Sequence, residues 1–243
     1  MAGLDAADLL AVWEGGRSQH PAARALTILA GVSPGTPVEE LATIPLGRRD
    51  ARLLALREAS FGSTVAGVAA CTACGEPLEL SFPAPDVFPD VHPDAAALTY
   101  EGHGYRIVLR PPDTADLLAI AGHRSVDEAR AALLARCVER AEQDGEPRAA
   151  SDLPPAVADG AAAALADADP RADVWLAAGC PACGEFCTVA FDVASFLWEE
   201  LEMAAEELLL DVHALAAAYG WPEADILSLP ASRRRAYLEL IEG

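Results

Sequence analysis

The sequence predicts an α+β chain that is mainly helical, in which a small β module is interrupted by a helical insertion and flanked by helices. Three observations lead there. Alanine-rich tracts broken by Leu and Val, with 52% hydrophobic but only 6% aromatic residues among 243, favour helix over extended sheet. The stretch CPACGEF, residues 180–186, holds two cysteines at knuckle spacing, and CTACGEP, residues 71–77, repeats its C-x-x-C-G-E frame far upstream. Each hook leads into a strand-like run, LELSF after the first and FCTVAF after the second.

Two thiolates cannot complete a tetrahedral metal site, but Cys71, Cys74, Cys180 and Cys183 together can, and Zn2+ is the ion that such a set suits. The small module is therefore expected to be zinc-ribbon-like. Gly75 and Gly184 follow the second cysteine of each hook, where the knuckle turns its N–H groups toward the sulfurs and needs a positive φ. Four cysteines fill all four positions and leave none for water or substrate, so the zinc is expected to be structural, contributing roughly 10–16 kcal/mol of apparent folding free energy. Reduced free thiols or a disulfide pair are the alternatives; thioredoxin-like redox chemistry is disfavoured because neither hook lies within a βαβ pattern. Cys137 and Cys187 read as buried, small apolar thiols.

Along the chain, residues 1–62 form an N-terminal helical region. DAADLLAVW starts at an Asp5 cap, HPAARALTILAG stops at Gly31, Thr36 and Glu39 make a capping box, and LGRRDARLLALREASFG is a further helix closing near Gly62. Residues 63–112 contain the first knuckle and a hairpin, LTYEGHGYRIVLR, that is expected to extend the sheet around the metal. Residues 113–173 are the helical insertion. There Asp113 opens a short helix, Ser125 and Glu128 form a capping box before SVDEARAALLARCVERAEQ, a loop follows, and AVADGAAAALADADP is helical despite its glycine. Residues 174–191 supply the second knuckle. Residues 192–243 hold a long helix from Val193 to Tyr219, capped by Asp192 and stopped by Gly220, and a helical tail.

The 17 basic and 38 acidic residues give a formal charge of −21, which repels nucleic acid and anionic lipid surfaces. No stretch approaches the about 20 apolar residues of a membrane span, and no signal-peptide layout is visible, so a cytoplasmic location is expected. Catalysis is not expected either. The histidines at 20, 92, 103, 123 and 213 form no H-x-x-H, H-E-x-x-H or H-x-E pattern, and neither a nucleophile elbow nor a phosphate-binding loop is present, so no small-molecule substrate is implied.

The tail, YGWPEADILSLPASRRRAYLELIEG, contains the only dense basic cluster, Arg233 to Arg235, which either pairs with the Glu-rich long helix or marks a docking surface. Residues 40–53, ELATIPLGRRDARL, line up with residues 225–238, DILSLPASRRRAYL. Each is a short helix followed by a proline-started helix with arginines in its first turns. Chance is the alternative to a true echo. Cations at a helix start oppose the helix dipole, so these arginines are expected to have anionic partners.

The run from LGRRDARL through CTACGEPLEL, the second C-x-x-C-G-E, and VHALAAAYGWPEADILSLPASRRRAYLELI resemble the baseplate hub assembly chaperone family of T-even-type contractile phages, which also occurs in gene clusters for phage-tail-like injection systems. The resemblance covers the front third and last quarter. It implies a cytoplasmic, non-catalytic factor that binds baseplate hub or other tail proteins, with Cys71, Cys74, Cys180 and Cys183 as its zinc site. By position it implies a tail signature of Tyr219, Trp221, Ile226, Leu229, Arg233, Arg234, Tyr237 and Leu238 for partner binding. A resident baseplate subunit and, less favoured by the charge, a zinc-ribbon adaptor for nucleic-acid machinery are the other readings.

Overall fold

A computed structural model describes residues 3–88 and 98–242. It is an α+β chain in which helices dominate and strands are confined to small sheets. The helical body begins with α1 (Ala6–Gly16), whose first turn is capped by the Asp5 carboxylate accepting from Asp8 N at 2.8 Å. Then come α2 (Pro21–Gly31), α3 (Val38–Ala42) and α4 (Leu46–Phe61). The expected Thr36–Glu39 capping box is not formed: Pro37 is the N-cap residue of α3 and no side chain caps it. Its lack of an N–H and its extended ψ already set the entry of the chain.

After its two hairpins and the sheet module between them, the chain returns to this body as α8 (Val193–Tyr219), capped by Asp192 and closed by Gly220 at φ 68° as the sequence predicts. The apolar stripe of α8 meets α1, α2 and α4. Leu197, Trp198 and Leu201 join Ile28, Leu29, Leu53 and Leu56 in the main core. Arg57 of α4 forks onto Glu200 of α8 with bonds of 2.8 and 2.6 Å, fixing the register of the two helices inside that core. The tail continues as α9 (Glu223–Ser228) and α10 (Ala231–Glu242), both against α8.

Two hairpins leave the body. The first pairs β1 (Thr64–Ala70) with β2 (Pro77–Pro83), and the second pairs β7 (Trp175–Gly179) with β8 (Phe186–Ala190). The hairpin expected to extend the sheet around the metal belongs elsewhere. Its strands β3 (Leu98–Gly102) and β4 (Tyr105–Leu109) form a separate four-stranded sheet with β5 (Val138–Gln143) and β6 (Glu146–Pro147). The sheet packs on α6 (Val126–Cys137) and α7 (Pro155–Ala168) around a second core of Tyr105, Ile107, Leu109, Leu134, Val157 and Ala161.

VERAEQ is thus strand where a continued helix was expected. Arg110 N donates to Cys137 O at 2.9 Å, and from Val138 onward the chain pairs with β4, so a ladder replaces the next helical turns. The capping role of Ser125 holds, with its hydroxyl accepting from Glu128 N. Gly160 in α7 also has a reason: a Cβ there would collide with the phenol of Tyr100 from β3. Among the described residues no helix is long and apolar enough to cross a membrane.

A polar seam joins the sheet module to the body. It centres on α5 (Thr114–Ile120) and the N-terminus of α4. Leu46 N donates to Pro112 O at 3.0 Å, Pro45 bridges Asp113, and Gly47 N donates to Asp169 Oδ2 at 3.0 Å. Gly47 is required, because a Cβ would run into the Asp169 carboxylate. The expected anionic partner of the first arginine pair is found here: Arg49 donates to Asp50 at 2.7 Å and to Thr114 Oγ1 at 3.3 Å. Burial pushes the Asp50 carboxyl up to about 6 even against the pull of Arg49.

Asp116 anchors the far side of the seam. Fully buried, it accepts two bonds from Arg110 at 2.6 and 2.8 Å, one from Arg136 at 2.8 Å and one from Asp113 N at 3.1 Å. Burial works against its charge, but the guanidinium of Arg110 and the other donors hold its pKa below the usual carboxylate value. A depressed acid stabilises the fold above its unfolded pKa, and the gain is lost as pH falls through the native value. Asp116→Asn is therefore expected to cost about 3 kcal/mol at pH 7, the low end for breaking a buried ion pair because both arginines keep contact with water. The penalty is expected to shrink as the pH drops below about 4, where the unfolded chain's carboxylate takes up a proton that the native one still resists; denaturant melts of both proteins across pH 3–7 measure it.

Candidate metal centre

The two C-x-x-C-G-E turns close the tips of the β1–β2 and β7–β8 hairpins and are near-copies in backbone geometry. Cys71 N donates to Glu76 O at 2.8 Å and Gly75 N to Cys71 O at 2.9 Å; Cys180 N donates to Glu185 O at 2.8 Å and Gly184 N to Cys180 O at 2.9 Å. Gly75 and Gly184 have φ of 78° and 75°, the left-handed conformation that the sequence demands of them.

The tips face each other. Cys71 Sγ lies 3.8 Å from Cys183 Sγ, Cys74 Sγ lies 3.7 Å from Cys180 Sγ, and all four sulfurs fall within 4.8 Å of one another. Cys71 and Cys180 are buried and Cys74 and Cys183 exposed, so the cluster sits at the surface with one sulfur of each hook underneath. Among the described residues this is the group of ligand-type side chains gathered closely enough to hold a metal ion.

The electrostatics of the cluster are compatible with a bound cation. Backbone N–H groups of Cys74 and Ala73 point at the Cys71 sulfur and hold its thiol below its ordinary value. Those of Cys183 and Ala182 act with the neighbouring thiols to bring Cys180 down to about 7. Cys74 and Cys183 receive N–H groups from Glu76 and Glu185, yet neighbouring sulfurs and burial push Cys74 up to about 12, and Cys180, burial and Cys71 push Cys183 upward as well. Four sulfurs at this spacing cannot all ionise against one another, whereas a central divalent ion removes the conflict.

Cys187 was expected to be an inert buried thiol. Buried it is, but its sulfur lies 3.3 Å from Cys71 Sγ. Alternation along β8 turns it inward beneath the second hook, a signal present in the strand pattern. Cys137 lies in the sheet module, fully buried, where desolvation pushes its thiol up to about 11.

The histidines are elsewhere. His20 caps α2, His103 occupies the β3–β4 turn at φ 53°, His123 bonds Ile120 O, His213 is exposed on α8, and His92 lies outside the described residues.

The tail signature forms one cluster. Tyr219 stacks on Trp221 at 4.7 Å, and Tyr237 meets Trp221 edge-on at 4.9 Å. Ile226 is fully buried, while Leu229, Tyr237 and Leu238 are half-buried. Arg233 is exposed. Arg234 donates to Leu229 O at 2.8 Å and lies 3.8 Å from Asp211 of α8.

Over residues 7–198, most of its length, the chain matches the family model described as T4 bacteriophage base plate protein, and it belongs to that family. The match includes both hooks and ends before α9 and α10. No curated protein and no solved structure matches the chain.

Metal analysis is expected to find one ion per chain. Cys71→Ser or Cys180→Ser is expected to abolish it and lower the melting temperature, as chelation does, whereas Cys187→Ala is expected to keep the one-to-one content. A melting curve indifferent to all of these, with no bound metal, would refute the assignment.

Proposed function

We propose that the chain is a non-enzymatic, cytoplasmic assembly chaperone that binds hub or other tail proteins of a contractile phage baseplate or related injection system, and that its four-cysteine site holds a structural zinc ion. Family membership supplies the baseplate context. The observation that carries the non-catalytic reading is the closed sulfur set: Cys71, Cys74, Cys180 and Cys183 meet one another from two hairpins, so an ion bound by all four has no position left for a substrate.

The spacing is compatible with zinc. A tetrahedral ion with Zn–S bonds of about 2.3 Å has sulfur–sulfur edges of about 3.8 Å, and two of the four inter-hook edges are 3.8 and 3.7 Å. On this reading the Cys187 sulfur, 3.3 Å from Cys71 Sγ, supports the site from below. The two hairpins then act as a zinc ribbon split across the sequence.

The partner surface on this reading is the tail, with Tyr219, Trp221, Ile226, Leu229, Arg233, Arg234, Tyr237 and Leu238. Its buried and stacked members hold the shape, and its arginines offer positive charge on a strongly acidic chain. A resident baseplate subunit is the second reading, favoured by the description of the family itself.

Quantitative mass spectrometry of finished particles separates the two: a transient chaperone is expected to be absent or far below stoichiometric there, yet to co-purify with baseplate components before assembly. Stoichiometric presence would make it a subunit. Charge reversal at the exposed Arg233 and Arg235 together is expected to weaken capture of the partner about tenfold or more, with an unchanged melting temperature; undiminished pull-down of hub protein would remove the tail from the docking surface.

A further inference from the structure

The echo between residues 40–53 and 225–238 is a repeat in three dimensions. Gly35 and Gly220 both take positive φ, at 87° and 68°. Two residues later Pro37 and Pro222 cap the short helices α3 and α9 with φ, ψ of −58°, 142° and −64°, 148°.

Leu41 N and Ile226 N donate back to those prolines at the same 3.2 Å. Thr43 Oγ1 bonds Glu40 O at 3.0 Å as Ser228 Oγ bonds Asp225 O at 2.7 Å. Arg49 N and Arg234 N close the first turns of α4 and α10 on Pro45 O and Pro230 O. Leu41 and Ile226 are both buried, and α4 and α10 both lie on α8.

The copies differ in what covers them. In the first, Leu46, Gly47, Arg49, Asp50 and Leu53 are all buried: Leu53 lies in the main core, Asp169 covers Gly47, and the segment Pro111–Thr114 lies across the start of α4, bonding Leu46 N and Arg49. In the second, the counterparts Ala231, Ser232 and Arg235 are exposed, and Leu238 is only half-buried. A groove of about 930 Å3 opens at this place, walled by α10, α8 and the start of α1 and floored by Leu4, Leu9, Leu208, Leu229 and Leu238.

The charges differ as well. Arg49 has its carboxylate in Asp50, but the residue after Arg234 is Arg235. The buried Nε of Arg234 has no hydrogen-bond acceptor; Asp211 stands 3.8 Å away. Asp5, Glu207 and Asp211 line the α1 and α8 walls, while the α10 wall carries Arg234 and Arg235. Asp211 faces both arginines from α8, and on the α10 wall itself the exposed Arg235 stands where the first copy has a carboxylate.

We propose that this groove docks an extended, proline-containing acidic segment of a partner protein, seated on α10 as Pro111–Thr114 is seated on α4. That the partner is a baseplate component rests on the function proposed above. Ser232 replaces Gly47, whose Cβ would collide with a carboxylate placed as Asp169 is. The incoming segment thus corresponds to Pro111–Thr114 and not to the Asp169 cap, and its carboxylate takes the place that Asp50 has beside Arg49.

The chain's own covering segment is the probe: a fluorescein-labelled peptide of residues 111–118, PPDTADLL, titrated by anisotropy into the full protein. Saturable binding is expected with a Kd on the order of 10–100 µM. Replacing both peptide aspartates with Asn, or the exposed Arg235→Glu in the protein, is expected to weaken it about tenfold with no change in the melting curve; Leu238→Asp gives an independent second variant.

No saturation by about 1 mM peptide, or binding indifferent to Arg235→Glu, overturns the proposal. So does a dimer that Arg235→Glu dissociates, because a second copy would then be the occupant. Baseplate proteins captured undiminished by the Arg235→Glu protein, with no peptide bound, would sink the groove alone. Peptide bound as expected, with no baseplate protein captured, would sink the functional reading alone.

Discussion

The approach of four sulfurs from two distant hairpins is the constraint on which the rest of the architecture depends. The β1–β2 hairpin leaves the end of α4, and the β7–β8 hairpin delivers the chain to α8. Joining their tips fixes where the whole intervening sheet module begins and ends. In the unfolded chain this loop is long, so closing it is entropically costly, and the cost rises only slowly with further length. A tie between the tips therefore serves a large insertion almost as well as a small one, and the sheet module can carry its own core around Ile107 and Leu109 without weakening the body.

The second tie is of a different kind. Of the buried polar and charged residues described, Arg49, Asp50, Asp113, Thr114, Asp116 and Asp169 all lie on the seam between α4 and the sheet module; Arg57 alone is placed elsewhere, against α8. A seam built from hydrogen-bonded charges gains little net energy over an apolar one, but misplacement is costly, because each displaced partner leaves a charge without its counterpart. The apolar cores decide that the modules fold; the seam decides how the sheet module is set against α4. Asp116, met by two arginines and a backbone N–H, is the least replaceable member of that set.

What the sequence revealed follows from how local each signal is. Asp5, Asp192, Gly220 and the two hook glycines act within a turn of their own positions, and the structure places them as read. The long helix is legible end to end for the same reason. The sheet module was less legible. VERAEQ has the composition of a helix, and only its pairing with β4, a long-range contact, makes it a strand. The hairpin of β3 and β4 is legible but its sheet is not, because a turn signal fixes a hairpin without fixing its neighbours. Gly160 looked like a weakness in a helix until Tyr100 supplied the side chain that needs its space. The four cysteines were legible as a set, while the closeness of Cys187 to Cys71 was missed because one inward-facing thiol in a strand looks like any small core residue.

The repeat of α3–α4 in α9–α10 links these points to the partner surface. The same short sequence pattern gives the same backbone twice, since proline caps, a buried Leu or Ile and a hydroxyl bonded to the preceding turn are all local devices. Local devices cannot supply the covering segment, which in the first copy comes from a remote part of the chain. The first copy is thereby locked into the fold, with Arg49 neutralised by its neighbour Asp50. The second keeps the shape but carries Arg235 where that neighbour would be, and it lies beyond the residues matched to the family. One structural unit thus serves as core where its cover is internal, and on the proposed reading as a receptor where its cover must come from another protein.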